Sequence, residues 1–148
     1  MSIDGLAIVP LRIIADERGS VMHMLRSDAP HFASFGEIYF STVHRGVVKG
    51  WKRHRRMQLS LAAPVGTIRL ICFDGRADSA TAGRSIDLTI GPANYQLVVI
   101  PPGVWTAFQG IADGTSLLAN CASIPHDPAE ADTQSMDDPP MVVDWTLA

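Results

Sequence analysis

A chain of 148 residues, 47% hydrophobic and 18% charged, is one globular domain's worth and long enough to bury a core. A net charge of −3 gives no support to a general nucleic-acid binder. No apolar run approaches the roughly 20 residues of a membrane helix, and the start has no basic flank, long apolar core and cleavage site of a secretory signal. The expectation is a cytoplasmic protein with neither nucleic-acid nor membrane partners. Cys72 and Cys121 sit in apolar runs without a second cysteine or histidine at ligand spacing, and read as buried free thiols.

In chain order, 6–14 reads as strand with a bend or edge at Pro10, and Asp16-Glu17-Arg18-Gly19 as a turn. Short strands follow over 21–25 and 37–43, with a loop between them. After the turn His44-Arg45-Gly46, strands are expected over 47–52, 57–63 and 67–73, the last two joined at Pro64-Val65-Gly66. A small polar loop leads to strands over 85–90 and 96–100, and Pro101-Pro102-Gly103 forces a turn. The final strands are 105–110 and 115–123. Past Pro125 the chain is rich in Asp, Pro and small residues, with one helical turn expected within 132–138. Turn signals every 8 to 12 residues with no sustained 3.6 period describe an all-β molecule. Ten or so short strands fit a single double-sheet jelly-roll domain over 1–148.

Charge is segregated. Every Lys and Arg lies at or before Arg84, and the remainder carries eight acids and no basic residue. An acidic tail folding back on the basic part follows from simple attraction, and a solvated tail is the plainer alternative. The densest cationic stretch is Lys49 to Arg56, which holds Lys49, Lys52, Arg53, His54, Arg55 and Arg56 without an acid. Such side chains are seldom buried unpaired, so those entering a cavity imply an anion there. Otherwise they form a solvated edge that discourages strand pairing.

Several motifs carry a resemblance that runs nearly end to end. Asp16-Glu17-Arg18-Gly19 resembles a D-x-R-G motif. Val47-Val48-Lys49-Gly50 resembles V-L-R-G, and Gly66, Asp74 and Arg76 keep a G, D, R spacing. Ile100-Pro101-Pro102-Gly103 with Phe108 resembles I-P-x-G followed by G-F. Asp137-Asp138-Pro139 with Val143-Asp144-Trp145 resembles N-D-P followed by I-D-W. In this order they are similar to the dTDP-4-dehydrorhamnose 3,5-epimerase family of small cupins.

The resemblance implies a homodimeric jelly-roll cupin that acts on a nucleotide diphosphate sugar with a 4-keto group. It implies no cofactor and no metal, a histidine-aspartate pair removing protons beside the ketone, and a tyrosine on the other face. A ketone acidifies the neighbouring hydrogens, so a base and an enolate-stabilising cation suffice. Carried over residue by residue, the family's first histidine falls on Lys52, its second on Thr106, its tyrosine at about Asn120 and its aspartate on Asp138. Arg18 and Lys49 stand at anion contacts, and Glu37 at a sugar or base contact. Lysine keeps the charge but loses the bidentate fork of arginine.

Residues two apart on a strand share a face. Lys52 and His54 are therefore expected in one cavity, Trp51 and Arg53 on the other side, with either Lys52 or His54 as the base and Asp138 as its orienting partner. Each residue has a plainer reading: His54 as a rim residue, Lys52 as a static phosphate contact, Asp138 as a turn former before Pro139. Trp105, following the Pro-Pro-Gly turn, is the candidate for stacking on a base or sugar, or else a packing residue. One lone histidine with no nearby glutamate before Gly66 does not make a transition-metal site. Phosphate-loop, dinucleotide and serine-hydrolase motifs are absent. Two functions from different classes follow: an epimerase of nucleotide-linked keto sugars for surface polysaccharide, or a module that binds such a sugar without converting it.

Overall fold

The computed structural model describes residues 2–147. Twelve strands run β1 (Ala7–Pro10), β2 (Ile13–Asp16), β3 (Gly19–Met22), β4 (Glu37–His44), β5 (Val48–His54), β6 (Leu59–Val65), β7 (Ile68–Asp74), β8 (Ser85–Ile90), β9 (Gln96–Ile100), β10 (Val104–Gly110), β11 (Thr115–Ala122) and β12 (Ala131–Thr133). One sheet has the order β1-β9-β6-β11-β4 and the other β12-β5-β10-β7-β8; β2 and β3 form a separate hairpin. Every strand pair is antiparallel. From β4 to β11 successive strands alternate between the two sheets, except that β7 and β8 form a hairpin within the second, which is the jelly-roll path that the strand count suggested.

The alternation of side chains explains the layers. In β7, Ile68, Leu70 and Cys72 point between the sheets and are fully buried. They join Ile90, Val98, Ile100 and Val104 in the main core, each stabilising by about 1.5–3 kcal/mol through apolar burial. Ile71, pointing the other way, joins Trp51, Trp105 and Ala107 on the outer face, beneath Met141, Val143 and Trp145 of the tail. The outer face of the first sheet carries Ala62, Tyr95, Leu97 and Val99 beneath Leu11, Met22, Met24 and Leu25. Both ends of the chain thus act as covers for outer sheet faces.

Boundaries differ locally from expectation. The first strand is divided at Pro10, which ends β1. Pro64 and Val65 belong to β6, and the turn falls on Gly66 at φ +81°. A Cβ there would also meet Ser116 at 2.2 Å, so only glycine fits. The 132–138 helical turn is not formed. A 3₁₀ turn lies earlier, Pro128–Glu130, with Asp127 accepting the Ala129 N–H and Pro128 opening it. The chain then adds β12 to the edge of the second sheet, opposite Arg53.

Candidate active site

Between the sheets lies a cavity of about 280 Å3. From the second sheet it is lined by Lys49, Gly50, Lys52 and His54 of β5 with Thr106 and Phe108 of β10. From the first sheet come Tyr39, Ser41, Leu59, Leu61, Leu118 and Asn120. The expected pairing of Lys52 and His54 on one face is present, with Trp51 buried on the other. Lys49 is three residues from Lys52 and on a regular strand would point away. It enters the same cavity because three steps of β5, from Lys49 to Lys52, face only two of β10, from Phe108 to Thr106. This bulge restores its side.

The arginines of the same stretch are spoken for. Arg53 and Arg55 both pair with Asp132, at 3.0 and 2.7 Å, and Arg56 lies 3.6 Å from Asp127. The acidic tail has folded back on the basic segment and neutralised its outer charges. Among the described residues Lys49 and Lys52 have no ion pair, so they carry uncompensated positive charge at the cavity.

His54 is buried, and its Nδ1 is hydrogen-bonded to the Glu130 carboxylate. The second oxygen of Glu130 accepts the backbone N–H groups of Arg55, Arg56 and Met57 at 3.2, 3.0 and 3.3 Å. Burial opposes ionisation of Glu130. The bonds from His54 and from the backbone outweigh it and hold the carboxyl below its ordinary pKa. An ionised acceptor at Nδ1 places the neutral imidazole's hydrogen there and leaves Nε2 as the basic nitrogen for the cavity. Across the cavity, Asn120 takes the Ser60 N–H on its Oδ1 and donates from Nδ2 to the Tyr39 hydroxyl at 2.9 Å.

Other expected site residues lie elsewhere. Asp138 is exposed in a turn, its N–H bonded to the Ser135 carbonyl, and does not reach His54. The tail arrives as a strand beside β5, which brings Glu130 to His54, and Asp138 is not among the residues that line the cavity. Trp105 is buried on the outer face, with the Arg53 guanidinium 4.6 Å from its ring, and does not line the cavity. Its parity on β10 is opposite to that of Thr106. Arg18 is exposed on the β2–β3 hairpin and held by Asp16 at 2.5 Å. Glu37 accepts the His126 N–H at 2.8 Å and is not among the lining residues. Sequence reasoning missed Tyr39, Ser41 and Glu130. The first two were accessible, since they alternate with Glu37 along β4. Glu130 carried no local signal within an acid-rich tail.

Jelly-roll sheets with a cationic cavity between them define a cupin. This chain belongs to the dTDP-4-dehydrorhamnose 3,5-epimerase family, which it matches over residues 1–148. A dTDP sugar isomerase structure from Desulfovibrio desulfuricans is 45% identical, with a TM-score of 0.92 over 97% of this chain and 92% of that one. The "Probable low-salt glycan biosynthesis epimerase Agl13" of Haloferax volcanii is 35% identical over 121 residues, 80% of this chain and 78% of its own length. The spore coat polysaccharide biosynthesis protein SpsL of Bacillus subtilis is 25% identical over 145 residues, 97% and 96% of the two chains.

Proposed function

We propose that this protein is an epimerase acting on a nucleotide-linked 4-keto sugar in surface polysaccharide biosynthesis, by metal-independent proton abstraction beside the ketone. The observation that carries this reading is His54, buried at the cavity wall, clamped through Nδ1 by Glu130 and accompanied by unpaired Lys49 and Lys52. His54 Nε2 removes the hydrogen next to the ketone. Lys52, on the same face of β5, stabilises the enolate oxygen or, with Lys49, the diphosphate; both are anions that a nearby ammonium favours. Glu130 takes the orienting role expected of Asp138. Family membership and the relatives' names support the substrate class.

The protein works as a homodimer in this reading. Ile38 and Phe40, on the outer side of edge strand β4, and nearby Phe35 are exposed at 54%, 63% and 65%, an apolar surface suited to a second copy.

The chemical test is solvent deuterium exchange into a dTDP-linked 4-keto-6-deoxy sugar, followed by NMR. Wild-type protein incorporates deuterium at C3 or C5, and His54→Ala loses at least about 100-fold of that rate, the usual contribution of a general base. Tight binding without exchange would instead make the protein a binding module. Unchanged exchange in His54→Ala would remove His54 from the role of base.

A further inference from the structure

Three arginines and three acids meet where the tail joins β5, and their pairing is not interchangeable. Arg56 lies 3.6 Å from Asp127, Arg53 and Arg55 hold Asp132, and Glu130 between those two acids is left for His54. Glu130 is received by the imidazole and by three backbone N–H groups, which would donate to any carboxylate within reach. β12 is only three residues long, and its flanking side chains, Ala131 and Thr133, are small. Backbone pairing of so short a strand does not choose a register. A slip of two residues keeps every side chain on its own face. It would bring Asp132, one methylene shorter, to the place of Glu130.

Asp132 excludes that slip. Its Oδ2 accepts from the Arg53 guanidinium at 3.0 Å and its Oδ1 from that of Arg55 at 2.7 Å. Arg53 is itself fixed over Trp105, 4.6 Å from the ring. The bond from Arg55, then that from Arg53, lowers the pKa of Asp132, so the bridging carboxylate is charged at neutral pH. Downstream, the same register gives the Gln134 N–H to the Trp51 carbonyl at 3.0 Å and lays Met136 against Gly50 in the β5 bulge. We propose that Asp132 is a positioning residue for this site. By bridging Arg53 and Arg55 it sets the register of the tail on β5, so that Glu130, and not a neighbouring acid, fixes the imidazole of His54. This rests on His54 acting as the base. Asp132 does not line the cavity, so removing its charge acts on the reaction through Glu130.

The experiment has a substrate-free arm and a kinetic arm. In the first, NMR follows the low-field proton resonance of the hydrogen-bonded His54 Nδ1–H, assigned by its absence in His54→Ala. It is present in wild type and lost in Asp132→Asn. In the second, with dTDP-4-keto-6-deoxyglucose, Asp132→Asn lowers kcat about tenfold and leaves KM within about twofold of wild type. In a Glu130→Gln background the same change costs less than about twofold, because residues that act through one another are not additive. If Asp132→Asn proves unstable, Arg55→Gln, which removes the 2.7 Å partner, decides by the same two readouts. A resonance or a kcat at its wild-type value overturns the proposal. An equal loss of kcat in both backgrounds also overturns it, being the mark of a merely structural role. Turnover that persists in His54→Ala, or is absent in wild type, overturns the underlying reading of the base. A resonance still lost in Asp132→Asn would then leave the register role of Asp132 standing.

Discussion

Glu130 is 4% exposed, yet it is an ionised carboxylate. Burying such a charge is tolerable only because every near partner is a donor: His54 on one oxygen and three backbone N–H groups on the other. The arrangement does two things at once. It caps the turn after β5, and it fixes which imidazole nitrogen faces the cavity. Glu130→Gln keeps the shape but loses the charge that selects the tautomer. The expected outcome is a fall in kcat of about 10- to 100-fold with KM nearly unchanged, because no substrate contact is removed. Steady-state kinetics on a dTDP-linked 4-keto sugar check this. A raised KM with kcat intact would make Glu130 a structural residue only. Asn120, expected as a substrate contact, has a comparable duty towards Tyr39, bridging it to the backbone of β6.

Two elements shape the site. β5 supplies its cations, and the bulge between Lys49 and Lys52 turns a three-residue spacing into a shared face. β12 with the turn before it supplies the counter-charges, so that Arg53 and Arg55 are neutralised outside while the lysines remain free inside. This docking depends on pH. Burial works against ionisation of Glu130 but is outweighed, and hydrogen bonds from Arg55 and Arg53 lower the pKa of Asp132, so both folded-state values lie below the ordinary 4.5 and 3.8. A carboxyl whose folded pKa is depressed stabilises fully above its unfolded pKa and loses that contribution as pH falls through the folded value. The tail should therefore stay docked at neutral pH and loosen on acidification below about pH 4. Because residues 141–145 cover Trp51 and Trp105, loosening should shift tryptophan emission to the red. An emission maximum that holds to pH 2 would show that apolar packing, not charge, holds the tail.

At the scale of the molecule, one chain gives a filled half and an open half. The main core is centred on β6, β7, β8 and β9, whereas the cavity opens where β4, β5, β10 and β11 face one another beside Leu59 and Leu61 of β6. The outer faces are covered unequally. Both termini shield apolar clusters, while Ile38, Phe40 and Phe35 remain bare. A homodimer should therefore have a mass about twice the 16.0 kDa of the chain. Sedimentation equilibrium measures this directly, and Phe40→Glu should shift the species towards the single-chain mass by placing a charge in the apolar contact. A wild-type protein sedimenting as one chain would refute the dimer.

The strand spacing, the jelly roll and the cavity-facing parity of Lys52 and His54 were all legible in the sequence, because turn chemistry and the two-residue repeat of a strand are local properties. The attraction between a basic first part and an acidic tail was legible as well, since net charge needs no geometry. The partners were not. Whether Glu130 or Asp138 meets His54 depends on the register at which the tail joins β5, and an acid-rich stretch offers several registers of similar charge. Whether Asn120 touches substrate or holds Tyr39 depends on the pairing of β4 with β11, strands about 80 residues apart in the chain. Trp105, the stacking candidate or else a packing residue, took the second role, because one step of parity from Thr106 sends it to the opposite face. Local periodicity decided which side chains could enter the cavity. Only long-range strand pairing decided which of them would meet there.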